Sequence, residues 1–246
     1  MVDFERQRPT ARRWDLDTIR RLLARPGAPP PPRPAIQVAG SKGKGTTAAM
    51  LEALLLAAGC RPGCYTSPHV ETLLERARVA GARVPVERLE RLLRDLLALP
   101  GGRRPTFFEA MTAAAVAWFA EERVDVAIYE AGLGGRYDAT TAVPVDAAIV
   151  TRIELEHTAV LGDTIATIAG EKAPVVRPGG LGLTSTTGDA LAAIRRHAAA
   201  VGAELLVLDE HFGLREVTAD GAGARGRLRL PDGDERPFSL PAATAF

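Results

Sequence analysis

Cysteine is almost missing from this 246-residue chain, which has two, Cys60 and Cys64. Two cysteines exclude a disulfide framework, and no histidine or cysteine joins them at zinc spacing. They flank Arg61-Pro62-Gly63, read here as a turn, and as small half-buried thiols they suit a reducing cytoplasm. Long apolar runs are missing too. No stretch of about 18 apolar residues exists, so no membrane-spanning helix is expected. The opening MVDFERQRPTARRW has mixed charge and no apolar core, so no secretory signal is expected. A charge excess is also lacking: 31 Lys and Arg stand against 30 Asp and Glu. That balance gives no electrostatic case for a nucleic-acid or membrane-surface partner. What is present, 46% hydrophobic and 25% charged residues, describes a globular chain with material for one large domain or two small ones.

Residues 1–25 read as a polar helical lead-in with Leu16, Ile19, Leu22 and Leu23 on one face. Residues 26–34 hold six prolines, a stiff extended connector. After it, strands are expected at residues 35–39, 124–129, 147–150, 181–184 and 204–208. Helices are expected at 46–58, 86–99, 107–122, 165–173 and 190–201. This alternation predicts an α/β fold, a mostly parallel sheet with helices on both faces. Beyond Asp209 the pattern weakens to short alternating stretches such as 225–230, and SLPAATAF ends the chain without a clear element.

Gly40-Ser41-Lys42-Gly43-Lys44-Gly45-Thr46-Thr47 follows the first strand and opens a helix, the setting a phosphate loop requires. Its glycines let backbone N–H groups turn toward phosphate oxygens, and the helix start adds positive dipole. Lys44 is placed to reach the terminal phosphates of ATP. Thr46 or Thr47 is placed to cap the helix, contact phosphate or help hold magnesium. Gly45, standing between Lys44 and the hydroxyl residues, departs from the usual eight-residue signature. Glu130 ends a strand at the carboxyl edge of the sheet, where a carboxylate near phosphate is a reasonable magnesium ligand and a surface acid is the plainer reading. Gly132, Gly134 and Gly135 permit close backbone approach. On their own, Ser67 reads as a turn former, His157 as a solvent-facing loop residue, Lys172 as an exposed lysine near a helix end, and Thr106 as a helix cap.

The Gly-Lys-Gly-Thr ending resembles the phosphate loop of folylpolyglutamate synthases and dihydrofolate synthases, of the Mur ligase superfamily. The resemblance recurs in order at Tyr65-Thr66-Ser67-Pro68-His69, Glu75-Arg76, Thr106-Phe107-Phe108-Glu109-Ala110 and residues 130–140. It continues at His157-Thr158, Leu161-Gly162-Asp163-Thr164 and Glu171-Lys172-Ala173, covering about residues 35–180. It implies a P-loop ATPase domain over residues 35–246 after a lead-in and linker at 1–34. It implies a cytoplasmic, ATP- and magnesium-dependent ligase that adds L-glutamate to a folate or dihydropteroate carboxylate through an acyl phosphate.

By the same resemblance Ser67, Glu130 and His157 hold magnesium, Lys44, Lys172 and His157 act in catalysis, and Lys172 is carbamylated. Pro68, His69, Arg76 and Asp138 belong to the substrate side, Asp138 without assigned chemistry. Four positions depart from the family pattern: Ser41-Lys42 for Thr-Asn, Glu156 for aspartate, Gln37 for histidine and Leu73 for an aromatic. The family's C-terminal domain, which helps hold glutamate, has no expected counterpart after Asp209, so a separate chain carrying it is an expected partner. Two other readings stay open: a nucleotide-binding, non-catalytic remnant, and a Mur-type amide ligase with a non-folate acceptor.

Overall fold

The structure, a computed structural model, describes residues 15–221 and 223–241. The first fourteen residues of the expected lead-in and the last five residues lie outside these. In chain order the elements are α1 (Asp17–Leu23), β1 (Ala35–Ala39), α2 (Lys44–Ala57), β2 (Pro62–Tyr65), β3 (Ala77–Val79) and β4 (Ala82–Arg83). Then come α3 (Val86–Leu97), α4 (Phe107–Glu121), β5 (Val126–Glu130), β6 (Ala147–Val150), α5 (Thr158–Leu161) and α6 (Ile165–Lys172). The chain continues through β7 (Leu181–Thr184), α7 (Gly188–Ala200), β8 (Glu204–Val207), β9 (Gly213–Asp220), β10 (Gly223–Arg229) and β11 (Glu235–Pro241).

One sheet of eight strands runs in the order β4-β3-β2-β5-β1-β6-β7-β8. Its six strands from β2 to β8 are mutually parallel, and β3 and β4 form an antiparallel edge. The expected mostly parallel sheet is therefore present. Strand period sorts its side chains. Ala35, Tyr65, Ala127 and Tyr129 join the core beneath α1, α3 and α4. Val38, Cys64 and Ile128 instead meet Ala48 of α2 on the opposite face. Ala148 and Val150 pack with Ile168 of α6 and Ile194 of α7.

Alanine is what lets α4 lie close. Ala113, Ala114, Ala115 and Ala117 are all buried, and α4 starts on a capping box in which Thr106 Oγ1 accepts from the Glu109 amide. Opposite it Gly63 is required, because a Cβ there would stand 2.7 Å from the Phe119 ring. Ile19 and Leu22 of α1 are fully buried in the core they share with α4.

Three expectations are corrected. Arg61-Pro62-Gly63 is not a turn, because Pro62–Tyr65 is a strand paired with β5 and β3. Proline at the first strand position gives up no essential ladder bond. The helix expected from Thr46 begins at Lys44, with Gly43 in the left-handed region (φ 82°) as its N-cap, so Thr46 and Thr47 do not cap it. The weakly patterned tail contains a second sheet, β11-β10-β9, antiparallel throughout, and Ser239 to Pro241 belong to its last strand. Its strands are mostly exposed or half-buried, so neither face imposes a clean apolar alternation.

The buried strand makes the two thiols chemically unequal. Cys64 is fully buried, and burial together with Glu52 pushes its pKa up to about 12, while Cys60 is half-buried. Native protein treated with a thiol-specific chromogenic disulfide is expected to react at one site per chain. That site is lost in Cys60→Ser, and Cys64 reacts only after unfolding. Rapid reaction of two thiols in the folded state would contradict the buried β2. Among the described residues no helix is long and apolar enough to cross a membrane.

Candidate active site

The phosphate loop is shaped by the residues after β6. Gly40 has φ 147°, and a Cβ on it would lie 1.9 Å from Thr151 Oγ1, so glycine is obligatory there. The Thr151 hydroxyl lies 2.7 Å from the Lys42 carbonyl and 3.2 Å from that of Ala39. The amides of Ser41 and Lys42 donate to the Arg152 carbonyl (2.8 and 3.2 Å). The loop is thus clamped from the outside. The start of α2 carries no side-chain cap, which leaves its first-turn N–H groups for an anion. Lys44 is folded back over the loop, its Nζ donating to the Gly40 carbonyl at 3.0 Å.

Glu130, at the end of β5, is 3% exposed and lies against this loop: a Cβ on Gly45 would stand 3.5 Å from its Oε2. The Ser67 amide, just past β2, donates to Oε2 at 3.0 Å. Burial pushes the Glu130 carboxyl above the usual carboxylate range, against the pull of the Ser67 amide, Lys44 and Arg78. Its other oxygen, Oε1, carries no hydrogen bond among the described residues. A hard anionic oxygen in that condition beside a phosphate loop suits magnesium, and the Ser67 hydroxyl is the same donor class. His157 is exposed, in the left-handed region (φ 47°) at the N-cap of α5. It makes no hydrogen bond to Ser67 or Glu130 among the described residues. Nor does any group of three or more His, Cys, Asp and Glu gather there at metal-holding distance.

Lys172 overturns the plain reading of an exposed lysine. It closes α6 with 1% of its surface exposed, and its Nζ donates to the Gly40 carbonyl (2.9 Å) and to Glu156 Oε1 (2.8 Å). Burial lowers the Lys172 pKa below the usual lysine value, with Glu156 opposing. Glu156 is itself held below the usual carboxylate range: burial pushes up, and the hydrogen bond and charge of Lys172, with help from Ser41 and Lys44, outweigh it.

The substrate-side residues divide. Ser67, the exposed Pro68 and His69 form one loop, and Arg76 joins it by donating from Nε to His69 Nδ1 at 2.8 Å. Arg76 is 7% exposed, with its guanidinium 4.9 Å from the Phe107 ring centre. Asp138 is turned onto its own loop. Its Oδ2 accepts from the amides of Gly132 and Leu133 (2.9 and 3.0 Å), and its Oδ1 from the Thr140 amide and hydroxyl (3.0 and 2.6 Å). Both oxygens are occupied inside the chain, and burial still pushes this carboxyl above its usual range.

Sequence reasoning missed Thr151 and Arg78. Thr151 directly follows Val150, which pairs with Ala39, and strand register is the signal that would have placed it on the loop. Arg78, from a short edge strand, pairs with Glu52 at 2.7 Å and its charge acts on Glu130, and nothing local in the sequence marks it. Gln37 of β1, in the position of an expected histidine, donates to the hydroxyls of Thr140 and Thr141 at 2.8 Å each and so braces the turn Asp138 begins.

No family model matches the chain. Over 187 residues it is 45% identical to a probable bifunctional folylpolyglutamate synthase/dihydropteroate synthase of Haloferax volcanii, covering 74% of this chain and 22% of that protein. Its fold matches E. coli FolC in complex with DHPP and ADP with a TM-score of 0.85 and 31% identity, over 97% of this chain and 56% of that one. Over the part they share, the chain belongs to the folylpolyglutamate/dihydrofolate synthase family. A bifunctional folylpolyglutamate synthase/dihydrofolate synthase with Mn, AMPPNP and L-glutamate bound matches with a TM-score of 0.80 and 33% identity, over 94% of this chain and 54% of that one. The chain therefore spans little more than half the length of these solved folylpolyglutamate synthases, and its mostly parallel sheet is theirs.

Proposed function

We propose that this chain binds ATP with magnesium in the cytoplasm and activates a folate or dihydropteroate carboxylate for amide formation with L-glutamate. The observation that carries this reading is the buried Glu130 carboxylate set against Gly45 of a clamped phosphate loop, with the Ser67 amide donating to its Oε2. The solved relatives that hold ADP with DHPP, and AMPPNP with Mn and L-glutamate, support the same ligand classes.

Lys44 leaves the Gly40 carbonyl to meet the terminal phosphates, and the uncapped amides of α2 take phosphate oxygens. Ser67 and Glu130, with His157 from the next loop, are the residues that would hold magnesium, which when bound neutralises charge on the transferring phosphoryl group. A substrate carboxylate oxygen attacks the γ-phosphorus, the bond to the ADP oxygen breaks, and an acyl phosphate forms. The glutamate amine then attacks the acyl carbon, and inorganic phosphate leaves with the amine proton passing to solvent. No protein nucleophile is needed; positioning and charge carry the chemistry. His69 and Arg76 bound the acceptor side of the Ser67 loop.

The test pairs binding with turnover. Calorimetry with ATP is expected to give affinity that depends on magnesium, and Glu130→Gln is expected to lose the magnesium dependence while keeping metal-free binding. Ligation is assayed with dihydropteroate and tetrahydrofolate as acceptors, with and without the remaining part of a solved relative supplied as a separate chain. Magnesium-dependent binding without ligation under every condition favours the non-catalytic reading. Ligation to other carboxylates alone favours a different acceptor.

A further inference from the structure

The guanidinium of Arg78 sits where α2, β2, the Ser67 loop and the turn before β3 meet. Arginine carries five N–H donors in a planar fork. Nε and Nη2 donate to Glu52 Oε2 of α2 at 2.9 and 2.7 Å, and Nη2 also reaches the Cys64 sulfur at 3.3 Å. Nη1 donates to the Thr66 hydroxyl at 3.2 Å and to the Glu75 carbonyl at 2.9 Å. Five contacts match the five donors.

These contacts join the two sides of the candidate site. Glu52 shares the buried face of α2 with Ala48, one turn nearer the phosphate loop. Thr66 directly precedes Ser67, whose amide donates to Glu130 Oε2 at 3.0 Å. The Thr66 amide donates to the Arg76 carbonyl at 2.8 Å, so its backbone and side chain are both tied to the β3 side. Glu75 gathers the far end of the same loop, accepting from the Val70, Glu71 and Thr72 amides at 2.6, 3.2 and 3.1 Å. The Arg78 and Glu52 side chains are 19% and 8% exposed. An ion pair buried this far adds little stability over apolar residues of the same size, so stability is a weak reason for its presence.

We propose that Arg78 is a positioning residue that locks the Ser67 loop against the phosphate-loop helix, setting how Ser67 and Glu130 meet magnesium beside the phosphates. This rests on the reading of Ser67 and Glu130 as magnesium residues. Arg78 makes no hydrogen bond to either of them among the described residues. It acts through Thr66 on one side and Glu52 on the other. The fork is the property that matters, because a compact ammonium brings the charge without the planar spread of donors that spans helix, strand and loop.

The test separates position from stability. Arg78→Met leaves the Glu52 charge buried without its partner, so the thermal midpoint is expected to fall. Joining Glu52→Leu to Arg78→Met removes that charge, and most of the midpoint is expected to return. ATP affinity is then measured by calorimetry across a magnesium series. In the double variant the gain in affinity that magnesium brings is expected to shrink about tenfold or more, with metal-free ATP affinity unchanged. Arg78→Lys is expected to shift the magnesium response in the same direction. Thr66→Val, which keeps the ion pair, is expected to shift it less, and these two variants decide the matter if the double variant does not fold. A stable double variant with the magnesium response of the unaltered chain overturns the proposal and leaves Arg78 as a packing partner of Glu52. So does an unchanged response in both Arg78→Lys and Thr66→Val. If the unaltered chain shows no magnesium-dependent ATP binding, the functional reading fails instead. Hydrogen exchange over residues 66–72 then judges the lock itself: faster exchange in Arg78→Lys and Thr66→Val upholds it, and unchanged exchange overturns it.

Discussion

Lys44→Ala lowers ATP affinity by about 100-fold or more, some 2.7 kcal/mol, because a charge-assisted contact to the terminal phosphates is lost. The expectation follows from position. Lys44 is the first residue of α2, next to the Gly43 cap, and its Nζ donates to neutral acceptors of the loop, the Gly40 carbonyl at 3.0 Å and the Ser41 carbonyl at 3.5 Å. Moving to phosphate therefore exchanges a neutral acceptor for an anion. The fold should not suffer, since Lys44 is half-buried and holds no distant element together. Calorimetry with ATP, ADP and AMP, next to a thermal unfolding scan, checks both halves. The deficit should shrink as phosphates are removed from the ligand, and the thermal midpoint should stay near that of the unaltered chain. Full ATP affinity in Lys44→Ala would remove the phosphate-loop assignment.

Asp138→Ala is expected to be the most damaging single change for stability, at roughly 3–6 kcal/mol. Three backbone amides and one hydroxyl would be left without their acceptor in a closed interior, and each such bond to a charged oxygen contributes about 1.5–3 kcal/mol. Folded domains are held by only about 5–15 kcal/mol, so such a loss is a large share of the total. For a domain of this size it corresponds to a fall in thermal midpoint of about 10 °C or more. Asp138→Asn keeps an acceptor on one side only and should fall between the two. Urea unfolding followed by circular dichroism measures the difference. A loss below about 1 kcal/mol, ordinary for any substitution, would mean that the 132–140 loop is held by something other than this carboxylate.

These two residues also mark what could be read in the chain and what could not. Lys44 was legible because a phosphate loop is local: the glycines, the lysine and the strand-to-helix setting lie within ten residues, and the structure needs Gly40 and Gly43 where the pattern puts them. Asp138 was not, because its partners are backbone amides whose direction depends on how the loop closes, and a lone Asp after glycines looks like a contact for something else. Lys172 misled for a related reason. Its charge argues for solvent, and only the packing of α6 against Gly135 and the reach of Glu156 bury it. The strand containing Pro62 and Gly63 was hidden by residues that ordinarily interrupt strands. The small sheet β9 to β11 was hidden by exposure, which removes the alternation that betrays a strand. The other five parallel strands had the opposite fortune, since burial within the sheet writes them as short apolar runs.

The order of strands in the large sheet also says when the site comes into being. β1, which launches the phosphate loop, lies between β5 and β6, pairing Ala35 with Ala127 and Ala39 with Val150. Its neighbours in space are among the most distant in sequence, and such contacts close late because a long loop must be gathered first. During synthesis the loop emerges before its clamp and stays without it until Thr151, Glu156 and Lys172 have followed it. Until then a nascent chain has no shaped cradle for phosphate. The capacity to hold a nucleotide arrives late, as a sign that the sheet has closed around its first strand.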